Sequence, residues 1–90
     1  MNFDWDESKA QANLAKHGVT FDEAKSVFAD PFYVDFYDPD HSDEEERYII
    51  IGQSQRARLL VVSYTERQQQ TRLISAREAT RREKQAYEEG

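Results

Sequence analysis

Arg47–Ser75 reads RYIIIGQSQRARLLVVSYTERQQQTRLIS and contains three runs rich in β-branched residues: Arg47–Gly52, Arg58–Thr65 and Thr71–Ser75. Residues of this kind favour strands, and the segments between them, Gln53–Ala57 and Glu66–Gln70, are short enough for hairpin loops. The stretch therefore predicts three antiparallel strands that follow one another in the chain.

A fourth strand is predicted before these three. Phe32, Val34 and Phe36 alternate with Tyr33, Asp35 and Tyr37, which is the period of a half-buried strand. Residues 38–46 contain no apolar side chain and predict a polar connection to the next strand. Together the four strands predict an antiparallel meander.

Helices are predicted on either side of the strands from three capping boxes. They are Asp4 with Glu7, Thr20 with Glu23, and Ser75 with Glu78, and the helices they open end near His17, Asp30 and Tyr87. Gly18 is predicted to terminate the first helix. The expected fold is α+β: two N-terminal helices, a four-stranded antiparallel sheet and a C-terminal helix, with the helices covering one face of the sheet.

Length and composition restrict the class of protein. Ninety residues are enough for one domain, expected over residues 1–90, and the absence of cysteine excludes a disulfide framework and thiol chemistry. The N-terminus does not look like a secretory signal, and no apolar run approaches membrane-spanning length. We therefore expect a cytoplasmic protein without a membrane partner.

The charges divide between the two halves of the chain. The net charge is −6, but residues 1–46 carry −10 whereas residues 47–90 carry +4, and all eight arginines lie in the second half. Such an asymmetry usually separates two faces with different partners. The basic half is therefore available to an anion in spite of the acidic total.

The acidic connection offers a metal site as one alternative. Asp38, Asp40 and Ser42 match the first positions of a calcium-binding loop, but Asp43 and Ile49 stand where that loop needs Gly and Glu. A looser Mg²⁺ or Mn²⁺ site made by the three aspartates with His41 stays open. A solvated acidic loop is favoured, since runs of charge generally stay in water.

The arginines suggest phosphate binding. Guanidinium groups bind phosphate in a bidentate manner, and tyrosines nearby suit the stacking of bases in single-stranded RNA. The alternative is a charged surface held by ion pairs along the last helix. His17 has two interpretations as well: a cation at the end of the first helix, or a general acid or base.

Blocks along the whole chain resemble the BrnT family of bacterial type II toxins. They are Phe3–Asp6, Asn13–Ala24, Asp38–Ser42, Glu46-Arg47, Ile51-Gly52 with Ser54, Leu59–Val62, Thr65–Arg67, Arg72–Glu83 and Tyr87-Glu88. The resemblance implies a RelE-like ribonuclease toxin that cleaves RNA and arrests translation. It also implies a BrnA-like ribbon-helix-helix antitoxin that neutralises the toxin and carries the complex to operator DNA. Whether the toxin forms a homodimer or a higher hetero-oligomer stays open.

The mechanism expected on chemical grounds is RNA cleavage without a metal or other cofactor, in which the 2′-OH attacks the adjacent phosphate. Such a reaction needs cations on the phosphate and groups that move protons. The catalytic candidates are His17 and Glu66 for proton transfer and Arg67 and Arg77 for the phosphate. Further RNA contacts are expected from Lys16, Arg72, Arg81 and Tyr87.

A second class of function is compatible with the same sequence. In it the chain is a non-catalytic interaction module whose acidic half docks a basic partner, while the arginines only stabilise the structure. RNA cleavage by the purified protein discriminates between the two.

Overall fold

The computed structural model describes all residues from Met1 to Gly90. Its strands are β1 (Phe3–Asp4), β2 (Val34–Asp38), β3 (Arg47–Gln53), β4 (Leu59–Arg67) and β5 (Gln70–Glu78). Its α-helices are α1 (Glu7–His17), α2 (Phe21–Lys25) and α3 (Arg81–Glu89), and short 3-10 helices span Ser26–Ala29 and Pro39–His41. The expected α+β class is confirmed.

The sheet has five strands in the order β1-β5-β4-β3-β2. The four expected strands are antiparallel to their neighbours, whereas β1 pairs parallel to β5 through Phe3 with Thr71 and Asp4 with Arg72. The prediction of four antiparallel strands therefore missed one strand and the mixed character of the sheet. Two residues are too few to show an alternating pattern, so local sequence carried no signal for β1.

The first and third capping boxes were placed wrongly. Asp6, rather than Asp4, caps α1 by accepting a hydrogen bond from the Lys9 amide at 3.1 Å. Ser75 and Glu78 lie in β5, because the pairing of β5 with β4 continues as far as the pair Leu60 and Glu78. The box at the start of α3 is formed by Thr80 and Glu83 instead.

The loop between β4 and β5 is shorter than expected. Arg67 pairs with Gln70, which leaves a two-residue turn at Gln68 and Gln69. Both have positive φ, 52° and 67°, as a tight hairpin turn requires. This turn keeps Arg67 within β4 and fixes the face on which its side chain lies.

The second capping position is confirmed, with one difference. Thr20 accepts a hydrogen bond from the Glu23 amide at 3.0 Å, as expected. The Glu23 carboxylate does not turn back to the helix start, but is buried and accepts bonds from Arg58 at 2.5 and 3.0 Å and from the Ser54 hydroxyl at 2.7 Å. These bonds join α2 to the start of β4 and lower the pKa of Glu23.

The core lies between α1–α2 and one face of the sheet. Its buried side chains are Val19, Phe21, Ala24, Val27, Ile50, Leu60, Val62, Tyr64, Leu73 and Ala76. Gly52 lies on this face, where an added Cβ would come within 2.8 Å of the Val27 side chain.

The second face of the sheet is covered at one end only. Alternation along the strands places Val61, Ile51 and Arg77 on this face, and Arg77 binds Glu83 of α3. Val61 and Ile51 are buried there. The expectation that all helices cover one face is therefore wrong, since α3 packs on the other. No helix covers the other end of this second face, towards the β4–β5 turn, and the candidate site lies there.

Candidate functional site

Three arginines converge on the uncovered end of the second sheet face. Arg47 pairs with Thr65, and Thr65 pairs with Arg72, so all three side chains lie on one face of adjacent strands. Arg67 follows on the same face two residues beyond Thr65. Strand spacing places the Arg47 and Arg72 Cα atoms about 10 Å apart, and Arg67 about 7 Å from Thr65 along the strand. We call Arg47, Arg67 and Arg72 the arginine face.

Carboxylates hold two of these guanidinium groups in the free protein. Arg67 donates to Glu45 from Nε at 3.0 Å and from Nη2 at 2.8 Å, and Arg72 Nη1 donates to Asp4 at 3.0 Å. The Arg67 guanidinium lowers the pKa of Glu45. All four side chains reach solvent. Because exposed ion pairs are weak, a phosphate group can compete for both arginines.

A histidine and an aspartate lie beside the arginine face. His41 Nδ1 is 2.9 Å from Asp38 Oδ2, and Asp38 pairs with Arg47 across β2 and β3. The Ser42 hydroxyl anchors this turn by donating to the Asp38 carbonyl at 2.6 Å and accepting from the Arg47 amide at 2.9 Å. A polar cavity of about 320 Å³ opens here, lined by Asp40, His41, Asp43, Glu44, Glu45 and Arg47.

The His41–Asp38 pair has the geometry of an oriented acid–base group. When Nδ1 carries the ring proton it donates to Asp38, and this bond leaves Nε2 as the proton acceptor. The His41 side chain is 65% exposed, so Nε2 is accessible to a substrate. Imidazole suits proton transfer near neutral pH, and cations for an anionic substrate lie on the adjacent strands.

The structure brings only some of the expected site residues to the arginine face. Arg67 and Arg72 are brought together on the arginine face. Arg77 shares that face but pairs with Val61, four residues or about 13 Å of strand from Thr65. Its guanidinium binds the Glu83 carboxylate at 2.7 and 2.8 Å, a contact that lowers the pKa of Glu83 to about 2. Arg77 therefore secures α3.

Glu66 lies on the opposite face from its neighbour Arg67, because successive strand residues point to opposite sides. It accepts a hydrogen bond from the Thr71 hydroxyl at 3.2 Å. The structure does not bring its carboxylate to the arginine face.

His17 and Lys16 lie at the other end of the molecule. They end α1 beside Gly18, whose carbonyl accepts from Arg58 Nη2 at 3.1 Å. Arg58 directly precedes β4 and is nine residues from Arg67, a distance of about 30 Å in an extended chain. A single site that contains both His17 and Arg67 is therefore not formed.

The two remaining candidates lie on α3. The Tyr87 hydroxyl donates to Asp30 Oδ2 at 2.6 Å, and this bond to a carboxylate raises the pKa of Tyr87 to about 12. Arg81 is exposed in the first turn of the helix. Both residues belong to α3, which is bound at the Arg77 end of the sheet and not at the arginine face.

The metal alternative is not assembled in this structure. No group of three or more His, Asp or Glu side chains is arranged to hold a metal ion, and Asp38 is instead engaged with His41. None of the helices has the length and apolar character needed to cross a membrane.

Three residues of the candidate site were missed at the level of sequence. His41 and Asp38 were considered only as metal ligands, although their spacing of three is the signal for a local side-chain pair. Arg47 opens its strand and was not distinguished from the other arginines. Its position beside Arg72 depends on the register of three strands, which local sequence does not show.

Comparison with solved structures supports this architecture. The chain resembles the crystal structure of the Brucella abortus ribonuclease toxin BrnT, with a TM-score of 0.66 and 26% sequence identity. The match covers 90% of this chain and 99% of that one. Among curated proteins no match was found. The fold is therefore that of a small ribonuclease toxin of known structure.

A match to a protein-family model points to BrnT toxins as well, from the sequence alone. The model described as the ribonuclease toxin BrnT of type II toxin–antitoxin systems matches residues 5–83, most of the chain. The protein belongs to the BrnT family of ribonuclease toxins, as the resemblance at the level of sequence predicted.

Proposed function

We propose that this protein is a metal-independent endoribonuclease toxin whose active site is the arginine face together with His41 and Asp38. The observation that carries the proposal is the cross-strand row Asp38–Arg47–Thr65–Arg72 with His41 beside it. Cations and an oriented imidazole, the two elements required for phosphodiester cleavage, meet there. Membership in the ribonuclease toxin family supports the assignment.

Substrate binding begins with the phosphates of single-stranded RNA. Arg47 and Arg72 flank Thr65 on neighbouring strands, and Arg67 lies at the end of the central strand. A phosphodiester replaces Glu45 and Asp4 as the acceptor of the guanidinium hydrogen bonds. Arginine suits this exchange because its guanidinium group can donate hydrogen bonds to two oxygens of one phosphate.

Cleavage then uses the ribose of the substrate. His41 Nε2 takes the proton of the 2′-OH while Asp38 holds Nδ1–H, and the 2′-oxygen forms a bond to the adjacent phosphorus. The bond from phosphorus to the 5′-oxygen breaks, and that oxygen takes a proton from water. The products are a 2′,3′-cyclic phosphate and a 5′-hydroxyl, and the arginines stabilise the charge that develops on the phosphate.

We propose a biological setting as well, which membership in the family supports. Cleavage of RNA in the cytoplasm arrests translation, and a BrnA-like ribbon-helix-helix antitoxin neutralises the toxin and takes the complex to operator DNA. Type II membership supports an antitoxin partner. The mass of the purified toxin, alone and with the antitoxin, distinguishes a homodimer from a higher hetero-oligomer.

The two histidines of the chain form a matched pair for testing the proton acceptor. We expect His41→Asn to lower the rate of cleavage of a synthetic single-stranded RNA at least 100-fold, because general base catalysis contributes about 10²–10⁴-fold. We expect His17→Asn to stay within twofold of the unchanged protein. The reverse pattern would return proton transfer to His17 and refute the site at His41.

Arginine variants and a chelator test the rest of the mechanism. Arg67→Ala should lower cleavage by about 100-fold, the effect of removing one charge-stabilising donor. Arg56→Ala, at the distant β3–β4 turn, is the control and should not change the rate. EDTA should leave cleavage intact, whereas loss of activity in EDTA would contradict metal independence. A chain that cleaves neither free nor ribosome-bound RNA would favour the non-catalytic module.

A further inference from the structure

The two edges of the sheet differ in whether their backbone groups have hydrogen-bond partners. At the β5 edge, β1 pairs with Thr71 and Arg72, and the Asn13 side chain binds both the amide and the carbonyl of Ala76. At the other edge, β2 is paired with β3 on one side only. No side chain bonds the backbone of Val34–Tyr37. We call this side of β2 the open edge.

The open edge lacks most of the features that prevent strand addition, and its only charged residues are Asp35 and Asp38. Val34–Asp38 contains no proline, glycine or lysine, and its register with β3 runs without a bulge. Aromatic side chains crowd the strand and the turn before it: Phe32, Tyr33, Phe36 and Tyr37 are all exposed, Phe32 to 74%. An exposed apolar strand edge of this kind is suited to pairing with another extended chain.

Charge decides which chain fits. Residues 30–46 carry eight Asp or Glu and no Lys or Arg, and we call them the acidic segment. The open edge itself, unlike the arginine face, offers no Lys or Arg to an RNA phosphate. A second copy of this chain paired through β2 would bring two acidic segments together, which is unfavourable. A basic polypeptide is the complementary occupant.

We propose that a basic, extended segment of the antitoxin adds to the sheet as a sixth strand at β2. The proposal rests on the proposed toxin function and deepens it by locating the antitoxin. Backbone hydrogen bonds to the open edge supply part of the affinity, and Phe36 and Tyr37 supply apolar contacts on the two faces. Basic side chains of the added strand face Asp35, Asp38 and the rest of the acidic segment.

The same position accounts for neutralisation. The added strand lies two strand spacings, about 10 Å, from β3 and therefore from Arg47. The antitoxin chain that continues from this strand passes beside the arginine face and His41. It excludes RNA from the site without touching every catalytic group.

Hydrogen–deuterium exchange on the complex tests the proposal directly. The toxin is co-expressed with the antitoxin encoded beside it, and its amide exchange is compared with that of the free toxin. We expect the strongest new protection in Val34–Asp38, with at least tenfold slower exchange. Protection confined to α1, α3 or other segments would overturn the assignment.

A pair of lysine variants provides the second test. Phe36→Lys should weaken antitoxin binding at least tenfold in titration calorimetry, and cleavage of RNA by the free toxin should not change. Leu14→Lys is the matched control, since Leu14 on α1 is 48% exposed and Phe36 is 47% exposed. Equal affinity of Phe36→Lys and the unchanged toxin would refute the docking site.

The readouts also separate this proposal from the proposed function. Exchange and calorimetry report antitoxin binding whether or not the chain cleaves RNA, and cleavage is measured on the toxin alone. A toxin dimer in light scattering that Phe36→Lys dissociates would overturn the proposal in favour of a second copy at the open edge.

Discussion

The side-chain amide of Asn13 satisfies backbone groups in the connection between α1 and α2 and in β5. Its Nδ2 donates to the carbonyls of Val19 at 2.9 Å and Ala76 at 2.8 Å, and its Oδ1 accepts from the Ala76 amide at 3.0 Å. The residue is 6% exposed. An asparagine in the middle of a helix lowers helix propensity, and the position is explained by these three bonds.

Removing this amide should destabilise the protein strongly. We expect Asn13→Ala to lower the free energy of unfolding by about 2–3 kcal/mol, because the Ala76 amide and two carbonyls lose their partners in a buried place. Gln11→Ala, at an exposed position of the same helix, should change it by less than about 0.5 kcal/mol. Urea denaturation measures both, and equal midpoints for the two variants would contradict this account.

Single residues also show why the site was only partly predictable. The arginines are phosphate-binding candidates by residue type alone. The structure places two of them, Arg67 and Arg72, on one face, and their binding of phosphate stays a prediction. Residue type does not report side-chain direction, so Glu66 was grouped with Arg67 although the two point to opposite faces. His17 and His41 are chemically identical, and only the fold distinguishes the end of the sheet at which each lies.

At the scale of elements, α3 is attached by two polar contacts near its ends. Arg77 on β5 binds Glu83 near its start, and Asp30 accepts from Tyr87 near its end. Burial alone would raise the pKa of Asp30, but bonds from the Gln53 amide, Tyr87 and the Phe32 amide outweigh burial and lower it. The helix has no fully buried residue, so these contacts fix its place.

The Arg77–Glu83 contact should make stability depend on pH in the acid range. The folded pKa of Glu83 is about 2, below the 4.5 of a free carboxyl, so the unfolded chain binds the proton more tightly. The stabilisation is therefore complete above about pH 5 and is lost as the pH falls towards 2. We expect it to be about 1 kcal/mol, because the pair is partly exposed and screened by solvent.

Glu83→Gln isolates this contribution, since glutamine can still serve in the capping box. The variant should be less stable than the unchanged protein at pH 7 and equal to it near pH 2, as measured by thermal unfolding across that range. A difference in stability that did not vary with pH would assign the effect to packing.

Elements with strong local signals were predicted well, and elements defined by distant partners were not. The alternating and β-branched runs gave four strands in the correct order, and Gly18 ended α1 with φ of 69° as expected. β1 exists only because Thr71 and Arg72 provide its partner. The box at Ser75 and Glu78 satisfied the local rule for a helix start, but cross-strand pairing with β4 was stronger.

At the scale of the whole molecule, the division of charge becomes a division of surfaces. The net charge of −6 combines an acidic segment at the open edge with an arginine face that begins on the neighbouring strand, at Arg47. The arginine face remains flanked by acids, which reduces its attraction for RNA at long range. We therefore expect binding to depend on a few short-range phosphate contacts.

Salt dependence of RNA binding measures the number of these contacts. Each phosphate neutralised on a single strand contributes about −0.7 to the slope of log K against log salt, so three arginines give about −2. Arg72→Ala should reduce the slope by about 0.7, whereas Arg56→Ala should not. Fluorescence anisotropy with an uncleavable 2′-O-methyl RNA gives the slope. A value near zero would exclude the arginine face as the RNA site.

The pairing of β1 with β5 has a consequence for the timing of synthesis. Asp4 leaves the ribosome early, whereas Arg72, which it contacts at 3.0 Å, is added 68 residues later. At about 5–20 residues per second, several seconds separate the two halves of this contact. The arginine face therefore cannot assemble until Arg72 has been made and β5 can pair with β1.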